Sequence, residues 1–567
     1  MMLINPKTPR AEIKMNLPKP KLVSAIAMCV FLILFILYFW IPVLNPVFLD
    51  WIPAIAIAVL PLFFTTLLNK YIKYVYAFLA LWVLIALLVS ASIFRAKDYR
   101  NVIGKVNQTE FSKLVSPVRL DQIPTVDSNY AAALAEKTLG EDFALGSRVT
   151  LGRPTRQMVD GKLYWVIPLL HSGFFKWLAN TAEGTPAYIK VSAINPRDVE
   201  FVRQVQGQPV RVKYQPNAYF NQDLRRHIYL HGYMGYGIGG YTFELDDQGQ
   251  PHWTITLFTH EVGVRAPNPV KLLTIHAETG KISEYPLIKT ADGFSDEKVP
   301  AWVDRIQPAE FILTQLDWWG KYVRGFWNTL FSKRNMLMVT AGYNIVYGTD
   351  DRSYVYSGMS SVGADEGTVG FVLSDTRTKR THLYKMSGAT EYAAMRSAEG
   401  KVQNYKYQAT FPILVNLNGL ATYFMPLKDS AGLVKQFAFV SVKDYSVVGV
   451  GETIKAARDD YQMALSSSRV GNLAQKAAEE ASLTGTVSRI GIDIKEGKTY
   501  YFLSFTEAPG MVFIGSSDLS NYLPLTKAGD LLSVKYLKTE DKEISLISLR
   551  NDSLEPASQA APAPGTE

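Results

Sequence analysis

The chain has 567 residues and a mass of 63.4 kDa, with 48% hydrophobic and only 19% charged residues, which excludes a disordered or fibrous chain. A single cysteine, Cys29, excludes an intramolecular disulfide framework and a cysteine metal cluster. The net charge of +8 is a small excess of 59 basic over 51 acidic residues, without the long basic run that tracks nucleic acid, so no nucleic-acid partner is expected.

Three apolar stretches open the chain. Residues 22–44 carry no charge and are long enough to cross a hydrocarbon core of about 30 Å. Residues 51–68 are shorter and hold Pro53 and Pro61, which leaves a spanning or a re-entrant course open. Residues 74–94 are again long enough to span, and Tyr38, Trp40, Trp51, Tyr71, Tyr74 and Tyr76 fall near the ends, where interfacial aromatics belong. Lys7, Arg10, Lys14, Lys19 and Lys21 precede the first stretch, and Lys70 and Lys73 lie between the second and third, whereas residues 45–50 contain no basic residue. The expectation is a basic cytoplasmic N-terminus (1–21), three transmembrane helices (22–94) in a bacterial cytoplasmic (inner) membrane, and an extracytoplasmic remainder. Arg95, Lys97 and Arg100 argue the other way, and two crossings would reverse the orientation.

The rest consists of short alternating runs broken by Gly, Asp and Asn, with a few helical patches. This predicts an α+β region of antiparallel sheets with packed helices. It repeats internally. Pro154, Gly161, Trp165, Pro168-Leu169, Val191-Ser192 and Val199 are matched by Pro412, Gly419, Tyr423, Pro426-Leu427, Val440-Ser441 and Val448, each set following an alanine-rich helical patch. A hairpin recurs as well: LLTIHAETGKISEY from Leu272 and FVLSDTRTKRTHLY from Phe371 both run strand, polar turn, strand.

The AETGKISEY hairpin, the helix-then-strands order and the GTPAYIKV strand resemble PepSY-type modules. The resemblance implies a helix on an antiparallel sheet, an extracytoplasmic place on a bacterial membrane protein, and an association with protease inhibition and envelope regulation. It brings no catalytic residues. The organisation expected is a first PepSY-like region (95–300), an aromatic-rich helical connector (301–345), a second PepSY-like region (346–465) and a linker (466–482). An OB-like β-barrel (483–551) and a disordered Ala/Pro-rich tail (552–567) follow. The barrel reading rests on five short strands, GTVSRIGIDI, KTYYFLSF, MVFIG, DLLSVKYL and EISLISL.

Candidate chemistry is sparse. His227 and His231 stand four apart, a spacing that sets two metal ligands on one helix face, and His252 and His260 lie nearby in sequence. Their glycine-rich setting predicts strand and loop rather than helix, and no HExxH glutamate stands between them. The run Gly235 to Gly240 lacks the following helix that a phosphate loop needs. No G-x-S-x-G elbow occurs. The connector instead offers Trp318, Trp319, Tyr322, Arg324, Phe326 and Trp327, with Trp319, Tyr322 and Phe326 spaced for one helix face, as a membrane-surface or interface candidate.

The leading expectation is a membrane-anchored, non-catalytic envelope assembly or scaffold protein without a cofactor. It would meet membrane lipid, self-associate as a homo-oligomer, and engage an envelope protein partner. A PepSY-like regulator binding a protease, peptide or signal is the first alternative, and a metal-dependent envelope enzyme the second.

Overall fold

The computed structural model describes residues 20–63, 69–109, 124–142, 145–348, 351–362, 367–417, 420–466, 468, 480–495, 498–537 and 542–554. Its first elements are apolar helices. Pro20–Phe35 continues as a π turn through Trp40, and Trp51–Phe63 and Asn69–Val89 follow. Leu22–Trp40 and Tyr71–Val89 are 19 residues each, about 28 Å at 1.5 Å per residue, whereas Trp51–Phe63 is shorter. Ile36 packs on Ala54 and Ala58. Trp51 meets Trp82, while the Tyr76 hydroxyl donates to Ala56 O (2.9 Å), so consecutive helices run antiparallel.

Two ends of this helix group are bonded to the rest of the chain. At the first turn, Leu44 N donates to Met234 O (2.8 Å) and Asn45 Nδ2 to Gly235 O (2.9 Å). Arg226 Nε reaches Tyr38 O (2.8 Å) and the Tyr229 hydroxyl reaches Pro42 O (3.0 Å). At the far end of the third helix, Val264 N donates to Ser90 Oγ (2.9 Å).

The larger region contains one unit built twice. In the first copy, helix Ser128–Gly140 lies on strands Val149–Leu151, Thr155–Val159, Lys162–His171, Tyr188–Ser192 and Val199–Val202, paired in that order with the first two both on the third. In the second, helix Glu391–Lys401 lies on Gln408–Ala409, Ile413–Leu417, Leu420–Lys428, Val434–Ser441 and Val448–Gly451, paired identically. The agreement extends to single bonds. Trp165 Nε1 donates to Val126 O (2.8 Å), and the Tyr423 hydroxyl donates to Ala389 O (3.0 Å), each carbonyl standing just before the residue that caps the helix. The caps are Asp127, accepting from Tyr130 N (2.8 Å), and Thr390, accepting from Ala393 N (3.2 Å).

Two antiparallel meanders lie between these units. One comprises Gly237–Leu245, Pro251–Val262, Arg265–His276 and Ile282–Pro286. The other comprises Ser353–Ser361, Gly367–Asp375 and Thr381–Ala389, flanked by Leu337–Val339 and Asn344–Tyr347. Their recurring hairpins close alike. Gly280 N donates to His276 O (2.9 Å) and Lys379 N to Asp375 O (2.8 Å), with Gly280 and Lys379 both at left-handed φ, 72° and 61°. One strand crosses the expected division of the region: Val106–Thr109 pairs parallel to Thr381–Ala389, so a segment preceding the first unit completes the second meander.

Beyond helix Ile454–Ser466, five strands close a barrel in the order Glu480–Lys495, Lys498–Phe505, Ala508–Ser516, Glu543–Asn551 and Leu531–Leu537. The long first strand pairs with both the second and the fourth in sequence, and the third and fifth run parallel, which is OB-type topology. The first strand starts at Glu480, inside the expected linker. Residues 1–19, most of 466–482 and the tail from 555 lie outside the described residues.

Candidate functional site

The two histidines do come together, His227 on a short helix rather than the expected strand or loop and His231 at a kink where the backbone leaves helical geometry. Asp223 caps Leu224–Ile228, which runs on as a π turn to Tyr233, and the ring centroids of His227 and His231 are 4.2 Å apart. Their nitrogens meet main-chain carbonyls instead of an open site. His227 Nε2 lies 2.8 Å from Gly280 O, and His231 Nδ1 lies 2.7 Å from His227 O. Burial holds His227 below the ordinary imidazole pKa. His252 meets His276 edge-on and packs against Trp302, while His260 packs on Phe48 and Phe258, so the four histidines share no centre. Among the described residues no group of three or more His, Cys, Asp or Glu is placed to hold a metal.

The connector is broken where the spacing predicted continuity. Helix Ala309–Lys321 ends at Tyr322, and Gly325 (φ 79°) starts a separate helix, Phe326–Leu330. Trp319 therefore faces the core beneath the second meander. Trp318 and Tyr322 pack on Tyr99, at 4.9 and 6.1 Å between ring centroids, and Phe326 joins the same cluster. These residues clamp helix Ser92–Asn101, which leaves the third apolar helix. Arg324 is exposed. Trp327 is 58% exposed, Leu330 55% and Phe331 78%, and Trp327 stacks on Phe331 at 5.9 Å. Four of the six candidates are thus packing, and the free aromatic surface is Trp327 with its two apolar neighbours.

A second aromatic ridge was not singled out by its sequence. Helix Phe174–Ala179 sets Phe174 against Tyr219 and Phe220, at 5.1 and 6.4 Å, and leaves Phe175 80% exposed and Leu178 53% exposed. The ridge sits beside the end of the first apolar helix. Arg226 donates to Phe220 O (2.8 Å) while covering the Tyr38 ring at 4.7 Å, and the Tyr38 hydroxyl reaches Asn221 Oδ1 (3.3 Å). The available signal was the extra loop in the first copy, whose GFFKWL run is too short for periodicity to read.

The buried charges form a seam between the two meanders. Asp304 N donates to Glu244 Oε2 (2.9 Å), and the Thr254 hydroxyl lies 3.2 Å from Glu244 Oε1. Burial pushes Glu244 up to about 8, with the Asp304 charge adding to it. Burial raises Asp304 to about 6 against the opposing Tyr347 hydroxyl bond and nearby arginines. Arg156, sandwiched between Trp165 (5.2 Å) and Tyr347 (5.6 Å), is lowered to about 10 by burial. On the other side, Ser353 Oγ and Thr376 Oγ1 each donate to Asp304 O (3.0 Å). Arg377 binds Asp296 and the carbonyls of Val299 and Pro300. Lys379 Nζ is held by Val102 O (2.8 Å), Asn268 Oδ1 (2.8 Å) and Gln315 Oε1 (3.1 Å), and burial lowers it to about 7. Residues 296–307 are therefore laced to both halves, and Glu244, Asp304 and Lys379 line neither the cavity beside Arg100 and Trp319 nor the one beside Phe48 and His260.

No protein-family model matches the chain, and no curated protein matches it. Among solved structures, an exo-1,5-alpha-L-arabinanase from a bovine ruminal metagenomic library aligns over 69% of this chain and 95% of its own, at 10% identity and a TM-score of 0.16. A Trypanosoma rangeli sialidase in complex with sialic acid aligns over 71% of this chain and 58% of its own, at 8% identity and a TM-score of 0.14. At these TM-scores neither likeness bears on fold or activity.

Proposed function

We propose that this chain is a membrane-anchored, non-catalytic assembly or scaffold protein of a bacterial cell envelope, self-associating through its extracytoplasmic modules. The observation that carries the reading is the bonding of the apolar helices. The turn after the first helix and the exit of the third are both fastened to the large region, and residues 45–50 lack the basic residues that precede the first helix. Three crossings with the N-terminus inside satisfy both facts, and lipid is then a standing partner. Two PepSY-like units, each a helix on an antiparallel sheet, support an extracytoplasmic place. The two aromatic ridges lie beside the ends of the first and third helices, where interfacial aromatics belong.

Self-association draws on the barrel. Ile492 and Ile494 stand two apart on one strand face and are 62% and 70% exposed. Light scattering on the detergent-solubilised chain tests the reading. A discrete mass many times 63.4 kDa, reduced to monomer in an Ile492→Glu/Ile494→Glu double variant, is the expected result. A monodisperse wild-type monomer would remove the scaffold reading.

A further inference from the structure

A cavity of about 560 Å³ opens where helix Ser92–Asn101, the connector and the second meander meet. The size is that of a small-molecule site. Trp319, Leu337 and Leu383 supply apolar lining, and Arg100, Lys333 and Lys385 bring three cations to it. Among the described residues no Asp or Glu lines it. Among the described residues none of the three cations has an ion-pair partner, and Arg100 Nε is buried without a hydrogen bond. By contrast, Lys271 is matched by Glu284 (2.7 Å) and Arg352 by Asp296 and Asp375 (2.9 and 2.8 Å). A buried guanidinium nitrogen without an acceptor is costly unless an acceptor arrives.

The location narrows the ligand. Arg100 lies on the helix that begins three residues after the third apolar helix ends, and Lys333 follows the exposed pair Leu330 and Phe331. We infer that this cavity binds an anionic phospholipid, its phosphate between Arg100, Lys333 and Lys385 and an acyl chain against Trp319 and Leu383. A guanidinium presents fixed donors to phosphate oxygens, while the two lysines add mobile charge. The apolar lining disfavours a bare anion, and the three cations, with no carboxylate among the described lining residues, favour an anionic over a zwitterionic headgroup. The inference rests on the membrane reading for its source of lipid.

The test uses the full chain in detergent and a fluorescent dihexanoyl phosphatidylglycerol kept below its micellar concentration, so that it reads the cavity independently of membrane insertion. Saturable one-to-one binding is expected, displaced by unlabelled dihexanoyl phosphatidylglycerol and at least tenfold less effectively by the phosphatidylcholine analogue or inorganic phosphate. Lys333→Gln/Lys385→Gln, both at exposed positions, should weaken it at least tenfold, and so should Val362→Asp at the exposed rim. Equal displacement by phosphatidylcholine or by phosphate, or wild-type binding by both variants, overturns the proposal. Partitioning of the protein in a Triton X-114 phase separation is read in parallel. Recovery in the aqueous phase defeats the membrane reading alone, while loss of probe binding in a detergent-phase protein defeats the lipid site alone.

Discussion

The two copies of the helix-on-sheet unit keep one face and change the other. In both, alternate residues of the long strand pack under the unit's own helix: Trp165, Ile167 and Leu169 in the first, Tyr423, Met425 and Leu427 in the second. The opposite face of the first, Val166 and Leu170 among it, is covered by the first meander. The opposite face of the second, Phe424 and Phe439, is covered by helix Ile454–Ser466, whose Tyr461 also bonds Thr422 (3.1 Å). Their hairpins diverge in the same sense. Residues 172–187 of the first carry the aromatic ridge toward the apolar helices, where the second makes do with residues 429–433. A strand apolar on both faces can accept a sheet or a helix as its second cover. One unit thereby faces the apolar helices, and the other the barrel, through Met463 on Tyr500 and Ile514.

If the shared face is the common structural device, breaking it should cost the same in both copies. Trp165→Ala and Tyr423→Ala each remove a large buried ring and leave a carbonyl unpaired, so each should lose about 3–5 kcal/mol in denaturant unfolding. A loss confined to one copy would mean that its second cover holds the unit without the shared face. Tyr423→Phe separates the bond from the ring and should cost about 1–3 kcal/mol.

The seam between the halves gives the next effect, and its sign is fixed by Glu244. Its folded pKa of about 8 lies above the unfolded carboxyl value. From about pH 4.3 to about 8 the native state therefore holds a proton that the unfolded chain releases. The group's contribution is full below that window and is lost as pH rises through it, by at most about 1.4 kcal/mol per pH unit. A protonated Oε1 can donate to Thr254 Oγ1, whose own hydrogen then turns to Thr242 O at 3.3 Å, and an amide reproduces this pattern. Glu244→Gln should match wild type near pH 4 and melt higher than wild type at pH 8. Parallel melting curves across the window would show that Glu244 does not titrate there.

How much of this was legible depends on whether a residue's environment is local. The duplicated hairpins and barrel strands were readable because turn residues and period-two alternation are local: Gly161, Thr279 and Thr378 mark turns that the fold makes. The Asp223 cap sets His227 on a short helix that the glycine-rich run does not announce, whereas Gly232, at φ 97°, breaks the helical geometry beside His231 as that run predicts. Helix continuity through Gly325 was misread because spacing carries no record of a left-handed residue. Arg156, Glu244 and Asp304 were invisible as core residues. Charge in a sequence reads as surface, and only the stacking of distant elements buries it. The exposed and the packed members of the aromatic connector look alike for the same reason.

The smallest effect separates the copies at their helix caps. Removing a capping side chain costs about 0.5–2 kcal/mol, and Thr390→Ala should fall in that range because its hydroxyl serves only Ala393 N among its described bonds. Asp127 does more. Its carboxylate also takes Lys428 Nζ, at 2.6 and 2.7 Å, joining the first copy's helix to the end of the second copy's long strand. Lys428 is 8% exposed, so Asp127→Ala removes a cap and leaves a nearly buried ammonium without its partner. Asp127→Ala should therefore cost more than Thr390→Ala, and the excess should vanish in a Lys428→Met background, where no charge is stranded. A double-mutant cycle in urea measures this coupling. A cycle energy near zero would show that the two copies meet without leaning on each other, and that the divergence of their outer faces, rather than a bond between them, sets their arrangement.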